Sequence, residues 1–128
     1  MALHTDTQIF KSTRDLLLMI EQYVANMDRI FKPTIGADLR ADTRRIIRCI
    51  KRANMPGNRV AAINEMREWI DMVNLSLYEC VELRQISRPQ YAKSLLLVEG
   101  IGKQATGWLK HSEKALVAPS SRRSGQRA

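Results

Sequence analysis

Apolar residues recur every three or four positions along most of this chain of 128 residues, the spacing of one face of an α-helix. Ile9, Thr13, Leu16, Ile20, Tyr23, Val24, Met27, Ile30 and Phe31 trace a first stripe with no Gly or Pro inside it. The pattern predicts helix 1 over residues 6–30, opened by a Thr5/Gln8 capping box and stopped by Pro33. Residues 32–36 then form a short connection. Leu39, Thr43, Ile46, Ile47 and Ile50 mark helix 2, which begins near residues 35–38 and runs to about residue 54. The run MPGN at 55–58 is a turn, with Asn58 placed to cap helix 3. Helix 3 has the cleanest three-four repeat: Val60, Ile63, Met66, Ile70, Val73, Leu77, Cys80 and Val81, ending at residues 83–85. Trp69 sits beside that seam and covers the edge of a core. The run SRPQ at 87–90 is a second start signal, with Ser87 capping, Gln90 reaching back and Pro89 in the first turn. Helix 4 follows with Tyr91, Leu95, Val98, Ile101, Ala105, Trp108 and Leu109 on one side.

No β-branched alternation bounded by turn residues interrupts this pattern, so the predicted fold class is all-α. Short loops between four helices imply antiparallel neighbours and an up-down-up-down four-helix bundle over residues 6–114. Residues 115–128 lack large apolar residues beyond Leu116 and Val117 and carry Arg122, Arg123 and Arg127, which predicts a disordered basic tail. Gly100, Gly102 and Gly107 lie inside helix 4, where each costs about 1 kcal/mol relative to alanine. A weakened helix end would explain them. Close backbone approach by a neighbour, inside the bundle or across a subunit contact, explains them better.

Charge changes the picture most in helix 2. Arg40, Arg44, Arg48 and Lys51 recur three or four apart on one face, with Arg45 and Arg52 flanking them. Six cations against Asp38 and Asp42 leave this helix at +4, in a chain of net charge +8. A solvated face is the plain explanation of any single charge run. The preponderance of arginine, whose planar fork suits bidentate phosphate contacts, favours an anion-binding surface. Helix 3 is the acidic counterweight, with Glu65, Glu68, Asp71, Glu79 and Glu82. A polyanionic partner follows from the overall charge: nucleic acid, an acidic protein or, less well because helix 2 has no Trp or Phe, an anionic membrane. Aromatic residues make up only 5%, which argues against stacking of single-stranded bases on several rings.

No chemistry-bearing constellation emerges. His4 and His111 stand at opposite ends of the folded region, and no Glu precedes His111 at the spacing of a di-iron bundle site. The segment GIG at 100–102 follows no strand and is not a phosphate loop. Neither an enzyme nor a metal, a cofactor or a small-molecule substrate is expected. Cys49 and Cys80 read as small buried thiols of a reducing compartment. With no signal peptide and no apolar run near the ~20 residues of a membrane span, a soluble cytoplasmic protein is expected. Trp69, Trp108 and Tyr78 look exposed and predict an oligomer formed through the sides of helices 1, 3 or 4.

The ordered segments FKSTRDLLLMIEQYV, FKPTIGADLRADTRRIIRCIKRAN and CVELRQISRPQYAKSLLLVEGIGKQATGWLK resemble a known family. It is that of the small four-helix bundle proteins of diversity-generating retroelements, the accessory variability determinant proteins, which are related to proteins encoded in intervening sequences of bacterial 23S ribosomal RNA genes. The similarity covers about residues 8–111. It implies a bacterial or phage-encoded homopentamer with a basic surface, which associates with a reverse transcriptase and template RNA or complementary DNA in mutagenic reverse transcription. The intervening-sequence relatives imply the alternative of a structural or protein-interaction bundle without that role. Arg40, Arg44, Arg45, Arg48, Lys51 and Arg52 are candidate nucleic-acid contacts on their charge stripe alone.

Overall fold

The structure is a computed structural model that describes the backbone of residues 7–127 and the side chains of residues 7–114. Four α-helices account for its architecture: α1 (Gln8–Ala25), α2 (Ala37–Ala53), α3 (Arg59–Glu82) and α4 (Arg88–Arg127). A single π-helical turn, Lys32–Gly36, leads into α2. Each helix packs on the next in the chain and α4 closes back on α1, which makes an antiparallel four-helix bundle. The tail expected at 115–128 lies outside the residues described with side chains. Among the described residues, no helix is long and apolar enough to cross a membrane.

The core is built from the stripes that the periodicity marks. Leu16 and Ile20 of α1, Leu39, Ile46 and Ile50 of α2, Ile63, Met66, Val73 and Leu77 of α3, and Ile101 of α4 are all fully buried. Burying one such side chain is worth about 1.5–3 kcal/mol relative to exposure. Thr13 and Thr43 are buried among them and donate their hydroxyls to the carbonyls of Ile9 and Leu39, each at 2.7 Å. Trp69 and Trp108 are half-buried against the core rather than exposed, whereas Tyr78 is exposed as expected.

Several local expectations are corrected. Helix 1 ends at Ala25, well before Pro33, because the chain is captured from outside the helix. The Asp28 N–H donates to Gln85 Oε1 at 2.8 Å, and Gln85 Nε2 donates back to Asp28 Oδ2 at 3.1 Å. Met27 is thereby turned into the core while Ile30 is left exposed. Pro33 lies instead inside the π-helical turn, closed by a 2.8 Å bond from the Gly36 N–H to the Phe31 carbonyl. Thr7 caps α1, accepting from the Phe10 N–H, and Gln8 donates to Ser12 Oγ at 3.1 Å rather than completing a capping box; Thr5 lies outside the described residues. Asn58 occupies the N-cap position of α3 but its side chain makes no capping bond. The Ser87/Gln90 box is present in full: Gln90 N–H donates to Ser87 Oγ, and Ser87 N–H to Gln90 Oε1.

The glycines divide differently from the expectation. α4 runs unbroken through Gly100, Gly102 and Gly107. A Cβ at Gly100 or Gly107 would meet nothing within 4 Å, and one at Gly102 only Ile70 Cγ2 at 4.0 Å, so no neighbour inside the bundle approaches them closely. Close approach occurs at Gly36, where a Cβ would stand 3.0 Å from both the Phe31 carbonyl oxygen and Val24 Cγ1.

Candidate nucleic-acid interface

α2 buries Leu39, Ile46 and Ile50 and turns its basic side outward, as the two stripes of its sequence require. The bundle then divides the six candidate cations among three settings. Towards α1, Arg40 and Arg44 share one carboxylate: Arg40 Nε lies 2.6 Å from Glu21 Oε1, and Arg44 donates to Glu21 Oε2 at 3.0 Å. The Arg40 Nε–H is buried and not aligned for a hydrogen bond, so that contact is an ion pair only. Towards α3, Arg45 donates to the buried Asp42 and lays its guanidinium over the Trp69 ring, 4.7 Å from the centroid. Arg52 donates to Glu65 Oε1 at 3.0 Å. Between these, Arg48 and Lys51 are exposed and form no ion pair among the described residues.

Four of the six cations thus face carboxylates of the same chain, contributed by Glu21, Asp42 and Glu65. Six positive charges against these three carboxylates and Asp38 still leave a surplus on this side of the molecule. The side chains of Arg44 and Arg52 are half exposed. Ion pairs of that exposure are worth about 0–1 kcal/mol, so an incoming phosphate competes with them on nearly equal terms. Arg45 is held most firmly, by a buried carboxylate and a ring face together. A shallow groove between α1 and α2, floored by Leu17, Ala37, Ala41 and Ile47, is rimmed by Arg40, Arg44 and Arg48.

Glu65, which the sequence reading placed only in an acidic counterweight, organises the α2–α3 side. Its Oε2 accepts from the Trp69 indole at 3.1 Å and from the Cys49 thiol at 3.6 Å, while Oε1 accepts from Arg52. The Trp69 bond, then the Arg52 bond, hold its carboxyl below the ordinary range. The Glu65/Trp69 pair is legible as an i, i+4 spacing; its bridge to Arg52 needs the packing of α2 on α3. Glu21 was missed for the same reason, since nothing local ties it to residues 40 and 44.

The two cysteines are free and buried. Burial pushes both thiols up to about 11, helped at Cys49 by the Glu65 charge and at Cys80 by the Glu79 charge. Both are therefore protonated and poorly nucleophilic at neutral pH. Among the described residues, no group of three or more His, Cys, Asp or Glu is placed to hold a metal ion.

Comparison of the chain with protein families, curated proteins and solved structures finds no match.

Proposed function

We propose that this chain is a non-catalytic accessory protein of a diversity-generating retroelement. In this reading it holds template RNA or complementary DNA by its phosphates and partners the element's reverse transcriptase in mutagenic reverse transcription. It works in the cytoplasm as a homo-oligomer, a pentamer on the family resemblance. The observation that carries the nucleic-acid part is the outward row Arg44, Arg48 and Lys51 on α2, where positive charge exceeds what the chain's own carboxylates neutralise. Such a row attracts a sugar-phosphate backbone and reads little base sequence. The retroelement part rests on the ordered resemblance of residues 8–111.

The pairing of Arg40, Arg44, Arg45 and Arg52 with carboxylates favours a second reading: a protein-interaction bundle of the ribosomal intervening-sequence type, whose arginines serve its own fold. Titration of the full chain into labelled single-stranded RNA at rising salt separates the two. With about three phosphates neutralised, the logarithm of affinity should fall against the logarithm of salt with a slope of about −2. Reversal of charge in an Arg44→Glu/Arg48→Glu double variant should remove binding while helicity by circular dichroism persists. Affinity that stays flat with salt, or survives that double variant, refutes phosphate binding through α2. Retention of a reverse transcriptase encoded beside the gene on the immobilised chain tests the partner.

A further inference from the structure

The outer face of α3 is unlike any other in the molecule. Met72, Leu75 and Tyr78 recur three apart along it, and all three are exposed, as is Leu83 just beyond the helix. Around them Glu68, Asp71, Glu79 and Glu82 are exposed and form no ion pair among the described residues. This is an apolar strip in an acidic frame, on a helix that holds five carboxylates against two arginines. A patch of this kind on a small chain marks a protein contact.

The outer face of α4 has the matching chemistry. Leu96 is 72% exposed, the highest of the large apolar residues described. Lys93 lies about one turn before it and Lys103 and Lys110 about two and four turns beyond it on the same side, with no ion partner among the described residues, against one exposed carboxylate there, Glu99. Gly100 and Gly107 lie along the same side, one and three turns beyond Leu96, with open space where a side chain would project. Among the described residues nothing calls for glycine at either place, and glycine weakens a helix. A helix laid on this face could approach the backbone closely there. α2 fits the acidic strip less well, because four of its cations already face carboxylates of their own chain and it exposes no large apolar side chain.

We propose that the acidic-apolar face of α3 docks on the basic, glycine-bared face of α4 in a second copy of this chain. The carboxylates of Glu68 and Glu79 meet lysines of the second copy's α4, and Met72, Leu75 and Tyr78 cover Leu96 and the bare backbone beside it. This rests on the self-association in the reading above and gives it a surface; α2 stays open, so assembly and phosphate binding use different residues.

Light scattering on the full chain tests it. The unaltered chain should have a mass at a multiple of 14.7 kDa at micromolar concentration. Gly100→Leu and Gly107→Leu should reduce that mass to a single chain while circular dichroism shows undiminished helix, since a Cβ at either place meets nothing within 4 Å and leucine favours helix over glycine. A Glu68→Lys/Glu79→Lys variant and a Lys103→Glu/Lys110→Glu variant should each be monomeric alone and associate when mixed. A monomer for the unaltered chain, an unchanged mass for both glycine variants, or no association on mixing overturns the proposal. The glycine variants alter no charge, so loss of assembly with RNA binding retained tells against neither phosphate binding nor this contact. Loss of RNA binding with assembly retained, in Arg44→Glu/Arg48→Glu, removes the α2 reading alone and leaves this contact standing.

Discussion

Gly36 and Glu65 show how a single residue's role is set by what arrives from elsewhere in the chain. Gly36 has ordinary helical angles, so its need for glycine is spatial. A methyl group there meets the Phe31 carbonyl, which is backbone and cannot swing away. Gly36→Ala should therefore destabilise the fold by about 1–3 kcal/mol, the usual cost of overpacking, seen as a lower urea midpoint at unchanged slope. Glu65 offers a pH test. Its folded carboxyl titrates below its unfolded value of about 4.5, held down by Trp69 and then Arg52. Its contribution to stability is thus complete above that value and is lost as pH falls through the lower folded one. A Glu65→Gln variant, which keeps an acceptor for the indole, should show a weaker decline in stability than the parent as pH falls below the ordinary carboxylate range. Equal declines would mean that the carboxylate is not what holds this corner. The buried thiols of Cys49 and Cys80 were legible from their apolar neighbours; the joining of Cys49 to Glu65 was not, because sixteen positions separate them.

At the scale of elements, the two expected caps of α3 and α4 make a controlled pair. Ser87 accepts from the Gln90 N–H and its own N–H is met by the Gln90 side chain, so both ends of the box are closed. Asn58 has the right residue type at the right position and makes no such bond. Ser87→Ala should cost about 1 kcal/mol of stability, and Asn58→Ala close to nothing, by thermal or urea unfolding. Each place has a favoured capping residue type in its sequence. The difference lies in Gln90, three residues on, which Asn58 lacks a counterpart for in Ala61. The end of α1 teaches the converse lesson. Its apolar stripe continues through Met27 towards Phe31, and no breaker appears before Pro33. The helix nevertheless stops at Ala25, because Gln85 from the α3–α4 turn offers Asp28 a donor and an acceptor at once. Two hydrogen bonds, each worth about 0.5–1.5 kcal/mol net, suffice to override the weak preference of a few residues at a helix end.

For the whole molecule, charge is sorted by helix: α2 is strongly basic and α3 acidic, side by side. Only part of that opposition is settled within the chain. Glu21 and Glu65 draw inward three of the arginines that a helical wheel alone places on one solvent face. Because these pairs are exposed, reversing Arg44 and Arg48 should change folding stability little, by about 1 kcal/mol in total, while removing phosphate attraction. A large loss of stability in that variant would make the arginines structural and favour the interaction-module reading. Among the carboxylates without an ion pair are those around Met72, Leu75 and Tyr78, and among such lysines are Lys93, Lys103 and Lys110 of α4, so part of the charge that the bundle does not satisfy sits where a second copy can reach it.

By itself the sequence determined the class of fold, the number of helices, the faces they bury and the start of α4. Each of these follows from the 3.6-residue period and from hydrogen bonds between residues three or four apart, which any window of the chain contains. Tertiary structure alone decided where α1 ends, which glycine is indispensable and which arginines keep their charge free. Those outcomes depend on Asp28 meeting Gln85, Val24 meeting Gly36 and Arg44 meeting Glu21, partners that only helix packing brings within reach.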